Sequence, residues 1–494
     1  MSRRAACGLL ASVAALAPFA PVLGAAPGQL GPARAFSWDW LKRQARALAA
    51  RPYRAPAKST NAAADYDASV KLTYGEAGRI AGNVRLFPTT RLVAEHAVTI
   101  HIVENGRARA IMDTAGLFVG DGKADPAGFR IMEEGAQTDW LAFLGGTYFR
   151  SSGALGQYGL SARAIAVDIG LSHAEEFPAF TQFWIEQLGG NHYRIHALLD
   201  GPSLAGAFAI DSRLHEGGVD QQARLALFMR RDIARLGIAP ITSMFWYDQT
   251  ADGRPTDWRP EIHDSDGLLV AMANGERIWR PLINPQRAQV NAFQAQGVRG
   301  FGLLQRDRRF VSYQDDGAFY DKRPNLWIEP EGDWGPGSVM LYEMPTDSET
   351  VDNIGAFWVG DRPVRKGQAW EGAYRLRWIG GEPDGSVIAR MVDGFIGPAG
   401  IPGLPPVAGA HKYVFDFRGE SLAGLTRESG VTIVTDLPDE AIIRSAAYPV
   451  VGQDKLWRAM LDVKEDKTRQ SEFRISLARA NDALTETVIQ PVNR

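Results

Sequence analysis

The sequence predicts an all-β protein, with a large antiparallel β-sandwich followed by a small C-terminal immunoglobulin-like β-sandwich and one short N-terminal helix. Three observations predict it. Many short runs alternate apolar and polar residues with a period of two. Turn-forming residues separate those runs, with 52 glycines and 28 prolines among 494 residues. No helical pattern recurs between strands at the length a βαβ unit needs. The chain is too long for one core, and two domains account for it.

Residues 1–35 read as an export leader: Arg3 and Arg4, an apolar run from Ala5 to Leu23, then small residues, with cleavage expected after Ala25 or after Ala35. The paired arginines suggest the twin-arginine route, and Sec export is the alternative. Pro18 and Pro21 interrupt the apolar run, which is also shorter than the ~20 residues of a spanning helix. The single cysteine, Cys7, falls inside this leader, so no disulfide framework is expected.

From Ser37 to Ala50, residues Trp40, Leu41, Ala45, Leu48 and Ala49 form one helical stripe, with Ser37 as N-cap and Pro52 beyond the end. Residues 55–64 read as an exposed connector. Thr99 to Val103 and Arg107 to Ile111 flank Asn105-Gly106, a pair suited to the positive φ angles of a type I′ hairpin turn. Further strands are expected at 164–169, 193–199, 205–210, 224–229, 339–344, 356–359 and 374–378. Residues 394–412, rich in proline and glycine, read as a linker that closes a large domain over 36–393. Residues 413–494 then form the small domain, with strands at 413–417, 431–434, 441–445, 456–463, 473–477 and 487–492.

Hydrophobic residues make up 45% and charged residues 22%, which fits an ordered globular chain. The formal net charge is −3 and no basic stripe interleaved with aromatics occurs, which argues against nucleic acid as a partner. No phosphate-cradling GxxxxGK[ST] and no HExxH is present, and the eight histidines are scattered, so neither a metal nor another cofactor is expected. Two acidic stretches remain, His263-Asp264-Ser265-Asp266 and Glu349-Thr350-Val351-Asp352-Asn353. Glycoside hydrolysis needs one carboxylic acid on the leaving oxygen and one carboxylate on water or carbon, which two acidic loops can supply. The competing reading is solvated loop acids and turn caps. Trp246, Tyr247, Trp279, Tyr320, Trp327 and Trp334 lie around these stretches and offer stacking faces for sugars, although aromatics in sandwiches mostly fill cores.

The large domain resembles the periplasmic glucan biosynthesis proteins OpgG and OpgD, also called MdoG and MdoD. The resemblance is carried by Phe143-Leu-Gly-Gly-Thr-Tyr-Phe-Arg150, Gln157-Tyr-Gly-Leu-Ser-Ala-Arg163, Glu175-Glu-Phe-Pro178, Leu236-Gly-Ile-Ala-Pro-Ile-Thr-Ser-Met-Phe245, Ile262-His-Asp-Ser-Asp266, Arg280-Pro-Leu-Ile-Asn-Pro285, Gly300-Phe-Gly-Leu-Leu-Gln305, Lys322-Arg-Pro-Asn-Leu-Trp-Ile-Glu-Pro330 and Glu349-Thr-Val-Asp-Asn353. It implies a periplasmic protein acting on β-1,2-glucan beside an inner-membrane glucosyltransferase, with no stable membrane insertion. By motif, Asp352 matches the family's general acid and Asp264 its general base, with Tyr320 and Glu349 matching polar residues near them. Asp266 is the rival to Asp264, being two residues away and on the same face if the segment is extended. Tyr158, Trp279, Arg280 and Trp327 are weaker candidates for substrate contact. An inverting enzyme should hold its two carboxyls about 6.5 to 9.5 Å apart, or further if hydroxyls relay the proton, with the acid shielded. The function the resemblance implies is an inverting endo-β-1,2-glucanase. The alternatives are a transglycosylase making cyclic or branched product, which exclusion of water near Asp264 would favour, and a non-catalytic glucan-binding scaffold.

Overall fold

A computed structural model describes residues 29–62, 78–91, 94–119, 124–250, 257–295, 297–383, 385–468 and 470–492. The apolar leader expected within 1–35 therefore lies largely outside the described residues. Two large sheets face each other. A sixteen-stranded sheet starts at the short edge strand Arg34–Ala35 and runs through Leu204–His215, Gly218–Met229, Ala369–Ile379, Asn325–Glu331, Val298–Leu304, Gly267–Met272 and Arg277–Pro281. A ten-stranded sheet runs from Gln289–Ala295 through Gly337–Glu343, Ile354–Gly360 and Leu236–Ser243 to Val84–Pro88. Phe129, Phe143, Ile241 and Leu341 of the smaller sheet meet Tyr193, Ile210, Leu225 and Phe301 of the larger one in a shared buried core. Each such burial contributes roughly 1.5–3 kcal/mol.

Local signals behave as their chemistry requires. Asn105 and Gly106 take φ of 49° and 69°, the two positive angles of a type I′ turn, and Glu104 pairs with Arg107 across it. The helix spans Trp38–Ala49, capped by Ser37, whose side chain accepts the Trp40 N–H at 3.2 Å. Its buried Leu41 and Ala45 pack on Trp184, Leu198, Ala226 and Phe228 of the larger sheet.

The Pro/Gly-rich segment is not a linker. Arg390–Pro398 is a strand paired along its length with Ala410–Arg418, from Arg390↔Arg418 to Pro398↔His411. Pro398 occupies the last position of that strand, and Pro402, Pro405 and Pro406 fall in the hairpin loop, where no ladder donor is needed. This hairpin joins Leu456–Lys464 and Ile442–Pro449 in a four-stranded sheet. The opposing C-terminal strands, Thr487–Pro491, Glu472–Arg479 and Val431–Thr435, continue the sixteen-stranded sheet, because Ile278 and Trp279 pair in parallel with Thr487 and Val488. The small sandwich is thus hydrogen-bonded into the large one.

Three connections position the acidic stretches. Residues 244–266 carry the chain from the ten-stranded to the sixteen-stranded sheet, and include the two-stranded pairing of Phe245–Tyr247 with Ile262–His263. Residues 305–324 join Val298–Leu304 to Asn325–Glu331 and hold the short helices Phe310–Tyr313 and Tyr320–Lys322. Residues 344–353 join Gly337–Glu343 to Ile354–Gly360.

Candidate active site

Asp264 and Asp352, far apart in sequence, are anchored to two successive residues. The Asp264 N–H donates to the Met244 carbonyl at 2.8 Å. The Phe245 N–H donates to Asn353 Oδ1 at 2.8 Å, and Asn353 Nδ2 donates to the carbonyls of Phe245 and Met344, each at 2.9 Å. Asn353 is 1% exposed and immediately follows Asp352, so it fixes the loop bearing one acid to the strand that holds the other. Asn353→Ala would leave three buried backbone groups without that partner, and since each costs ~1–3 kcal/mol the variant is expected to lose about 3 kcal/mol of stability or more. A thermal melt measures that loss.

Arg259 ties all three connections together. Its Nη1 donates to Asp315 Oδ2 and Glu349 Oε2, both at 2.8 Å, while Nη2 pairs with Asp257 Oδ2 at 2.9 Å. These partners hold the guanidinium proton more tightly than usual, Asp257 most of all. The Tyr320 hydroxyl donates to the same Glu349 Oε2 at 2.5 Å. Burial and the neighbouring Glu349 charge raise the Tyr320 pKa, so this phenol serves as a fixed donor and not as a base. Glu349, with both donors on one oxygen, anchors the loop that carries Asp352.

Arg323 is the cation that pairs with Asp264 and feels the charge of Asp352. Its Nη1 donates to Asp264 Oδ1, its guanidinium covers the Tyr320 ring at 4.0 Å, and the charges of Glu349 and Asp352 both act on it. Asp264 is 4% exposed, whereas Asp352 is only half-buried. Shielding, expected of the acid, is thus greater at Asp264. Beneath Asp264 the neighbouring His263 is fully enclosed, with Nε2 at 3.0 Å from Glu261 Oε2 and Nδ1 at 3.0 Å from Gln305 Oε1. Burial alone would lower this imidazole, but Glu261 and Asp266 outweigh it and push the pKa up to about 9. Gln305 Nε2 donates in turn to the carbonyls of His263 and Tyr320, at 3.0 and 3.2 Å, and so joins the two segments.

Asp264, Tyr320 and Glu349 meet around Arg259 and Arg323, and the charge of Asp352 acts on Arg323. Tyr158 lies at the rim: its hydroxyl donates to Asp139 at 2.9 Å, Arg150 stacks on its ring at 4.7 Å, and the adjoining Gly159 packs on Arg323. Asp266 does not share the face of Asp264. Residues 264–266 form a bend between two strands, so extended alternation does not apply, and Asp266 accepts the N–H groups of Arg306 and Asp307. Burial raises its pKa.

Trp279, Trp327 and Arg280, expected as substrate contacts, are buried in packing and ion pairs. Both tryptophans are 3% exposed and sit in the core shared with the small sandwich, among Tyr413, Phe415, Phe473 and Val488. Arg306 covers Trp279 at 3.6 Å from the ring centre. Arg280 is 0% exposed and pairs with Glu343 at 3.1 Å and Glu472 at 2.7 Å. The residues that sequence reasoning missed are Arg259, Arg323 and Asn353. The last two stand inside motifs that carry the family resemblance, Lys322-Arg-Pro and Glu349-Thr-Val-Asp-Asn, and their positions beside Asp352 and between turn and strand were the available signal.

A family model described as periplasmic glucan biosynthesis protein, MdoG, matches residues 36–491. Glucans biosynthesis protein D 2 of Ralstonia nicotianae is 40% identical over 520 residues, covering 98% of this chain and 95% of that protein. A probable glucans biosynthesis protein D of Shewanella oneidensis is 43% identical over 79% of this chain and 75% of its own length. Glucans biosynthesis protein D of Xylella fastidiosa is 38% identical over 93% of this chain and 90% of its own.

Proposed function

The chain belongs to the periplasmic glucan biosynthesis family MdoG, and from that premise we propose that it is an inverting endo-β-1,2-glucanase acting on the glucan backbone, with Asp352 as general acid and Asp264 as general base. One observation carries the reading: both carboxyl-bearing loops are pinned to Met244 and Phe245, Asp264 pairs with Arg323, and the charge of Asp352 acts on the same guanidinium. In the reaction, Asp352 gives its proton to the glycosidic oxygen as the C1–O bond breaks. Water attacks C1 from the opposite face and passes a proton to Asp264, directly or through a hydroxyl, leaving the anomeric centre inverted. Glu349, Tyr320 and Arg259 hold the acid-bearing loop in place.

A second reading draws on the burial of Asp264 and its pairing with Arg323, which leave little room for water at the base. If a sugar hydroxyl takes the place of water, the same acid and base give a transglycosylase with cyclic or branched product. Incubating the protein with linear β-1,2-glucan and resolving the products decides between the two. Short linear oligosaccharides released first as the α-anomer are expected; rings or branches would establish the second reading, and no product at all would leave a glucan-binding scaffold.

The leader is proposed to be removed after Ala25. Residues 29–36 are laddered to the Arg107–Ala110 strand and its neighbours, with Arg34↔Ala108, Ala35↔Arg107 and the Phe36 N–H on the Gly106 carbonyl at 2.9 Å. Cleavage after Ala35 would remove those strand contacts. N-terminal sequencing of the exported protein should read Ala26 first, and a chain starting at Phe36 would contradict this. Among the described residues no helix is long and apolar enough to cross a membrane.

A further inference from the structure

We propose that Arg323 is a positioning residue that keeps the Asp264 carboxylate ionised and fixed in direction, so that it sets the lowest pH at which the base can work. The inference rests on the acid and base assignment above. It starts from how firmly the guanidinium is fixed. Nε and Nη2 both donate to the Ala318 carbonyl, at 3.3 and 3.2 Å, which leaves Nη1 for Asp264 Oδ1. The ring of Tyr320 supports one side of the guanidinium at 4.0 Å. The stem is confined by Gly159, where a Cβ would stand 3.0 Å from both Cβ and Cδ of Arg323. The backbone of Arg323 is held too: its N–H donates to the Tyr320 carbonyl at 3.3 Å, and its carbonyl accepts from Arg308 Nη1 at 2.9 Å.

The charges around this pair come from every connection at the site. Glu349 and Asp352 from the 344–353 loop favour the cation, while Arg150 and Arg259 disfavour it. Burial weakens the guanidinium's hold on its proton, and the two acids act against that, so Arg323 stays charged across the working range. On the Asp264 side, His263 turns its ring toward Glu261 and Gln305 and leaves Arg323 as the cation in contact with the carboxylate. A carboxylate touching an arginine loses its proton at a pH lower by about 1–3 units than one without such a partner. Arg323 therefore secures the charged base at the cost of some basicity, and it holds one carboxylate oxygen in a fixed direction.

The test compares wild type with Arg323→Met and Arg323→Lys, using linear β-1,2-glucan as substrate. The acid limb of the kcat/KM profile should move to higher pH by about 1–3 units in Arg323→Met and by less in Arg323→Lys. A residue needed only for folding would lower the rate at every pH and leave the limb where it is, and that result would overturn the proposal. Because Arg323→Met strands a buried carboxylate, Arg323→Lys serves as the variant that keeps the charge, and thermal melts of both identify unfolding. A second readout is independent of turnover: titration of 13Cγ-labelled aspartate by NMR, with the Asp264 signal identified by its loss in Asp264→Asn. If wild type cleaves no β-1,2-glucan the hydrolase reading falls, yet an upward shift of the Asp264 titration in folded Arg323→Met would still uphold the role of Arg323, and an unshifted one would refute it.

Discussion

Asp352→Asn is expected to lower turnover of linear β-1,2-glucan by about 10²–10⁴-fold while leaving the melting temperature and glucan binding close to wild type. The amide keeps the shape of the side chain but has no proton to give to the glycosidic oxygen. Asp352 is half-buried in a loop that Asn353 and Glu349 anchor, and the amide keeps the size and shape of the carboxyl, so the fold should tolerate the change. Steady-state assay of released oligosaccharide, paired with a binding titration, separates the lost chemical step from lost affinity. A variant that binds and cleaves like wild type would remove Asp352 from the reaction.

The second large effect falls on stability. Arg280→Met is expected to cost about 3–5 kcal/mol, because it leaves Glu343 buried without its cation. Both side chains of that pair are 0% exposed, and Glu343 also accepts the Ile283 N–H at 3.0 Å and Gln289 Nε2 at 2.8 Å. Arg280 reaches Glu472 as well, so one guanidinium links the sixteen-stranded sheet, the ten-stranded sheet and the small sandwich. Denaturant unfolding should show the loss, with the KM of the remaining folded protein unchanged. Intact stability with a raised KM would instead return Arg280 to the substrate.

Which parts of this molecule can be read from sequence follows from the range of the interactions involved. The Asn105-Gly106 turn and the Ser37 cap are local, set by a positive φ or by a side chain reaching three residues on, and both form as their residues demand. Strands with one covered face also announce themselves by alternation. Leu236–Ser243 does not, because all eight of its residues are buried and no period of two survives. The Pro/Gly-rich segment misleads because its composition suits both a linker and a hairpin loop, and the ladder to Ala410–Arg418 is decided by the partner strand.

The acid pair depended on motif resemblance for a related reason. Asn353 meets Phe245 across 108 residues and Arg259 meets Glu349 across 90, separations at which no periodicity operates. Trp279 and Trp327 show what aromatic content leaves open. Their burial follows from the small sandwich covering that side of the sheet, which alternation within the large domain does not encode. A trace of it is present in the sequence, since Gly267, Gly300 and Gly302 give the indoles room. A Cβ on Gly267 would come within 2.3 Å of the Trp279 ring, and one on Gly300 within 2.3 Å of Trp327. Glycines opposite tryptophans on neighbouring strands are a packing signature, not a sugar platform.

The central claim is that Asp264 and Asp352 act on one and the same glycosidic bond. A crystal structure of Asp352→Asn holding a β-1,2-linked gluco-oligosaccharide tests it most directly. The asparagine should lie within hydrogen-bond reach, about 2.6–3.2 Å, of one glycosidic oxygen, with Asp264 facing the opposite side of the attached anomeric carbon, directly or through one hydroxyl or water. A sugar chain that touches only one of the two residues, or that binds away from both, would contradict it.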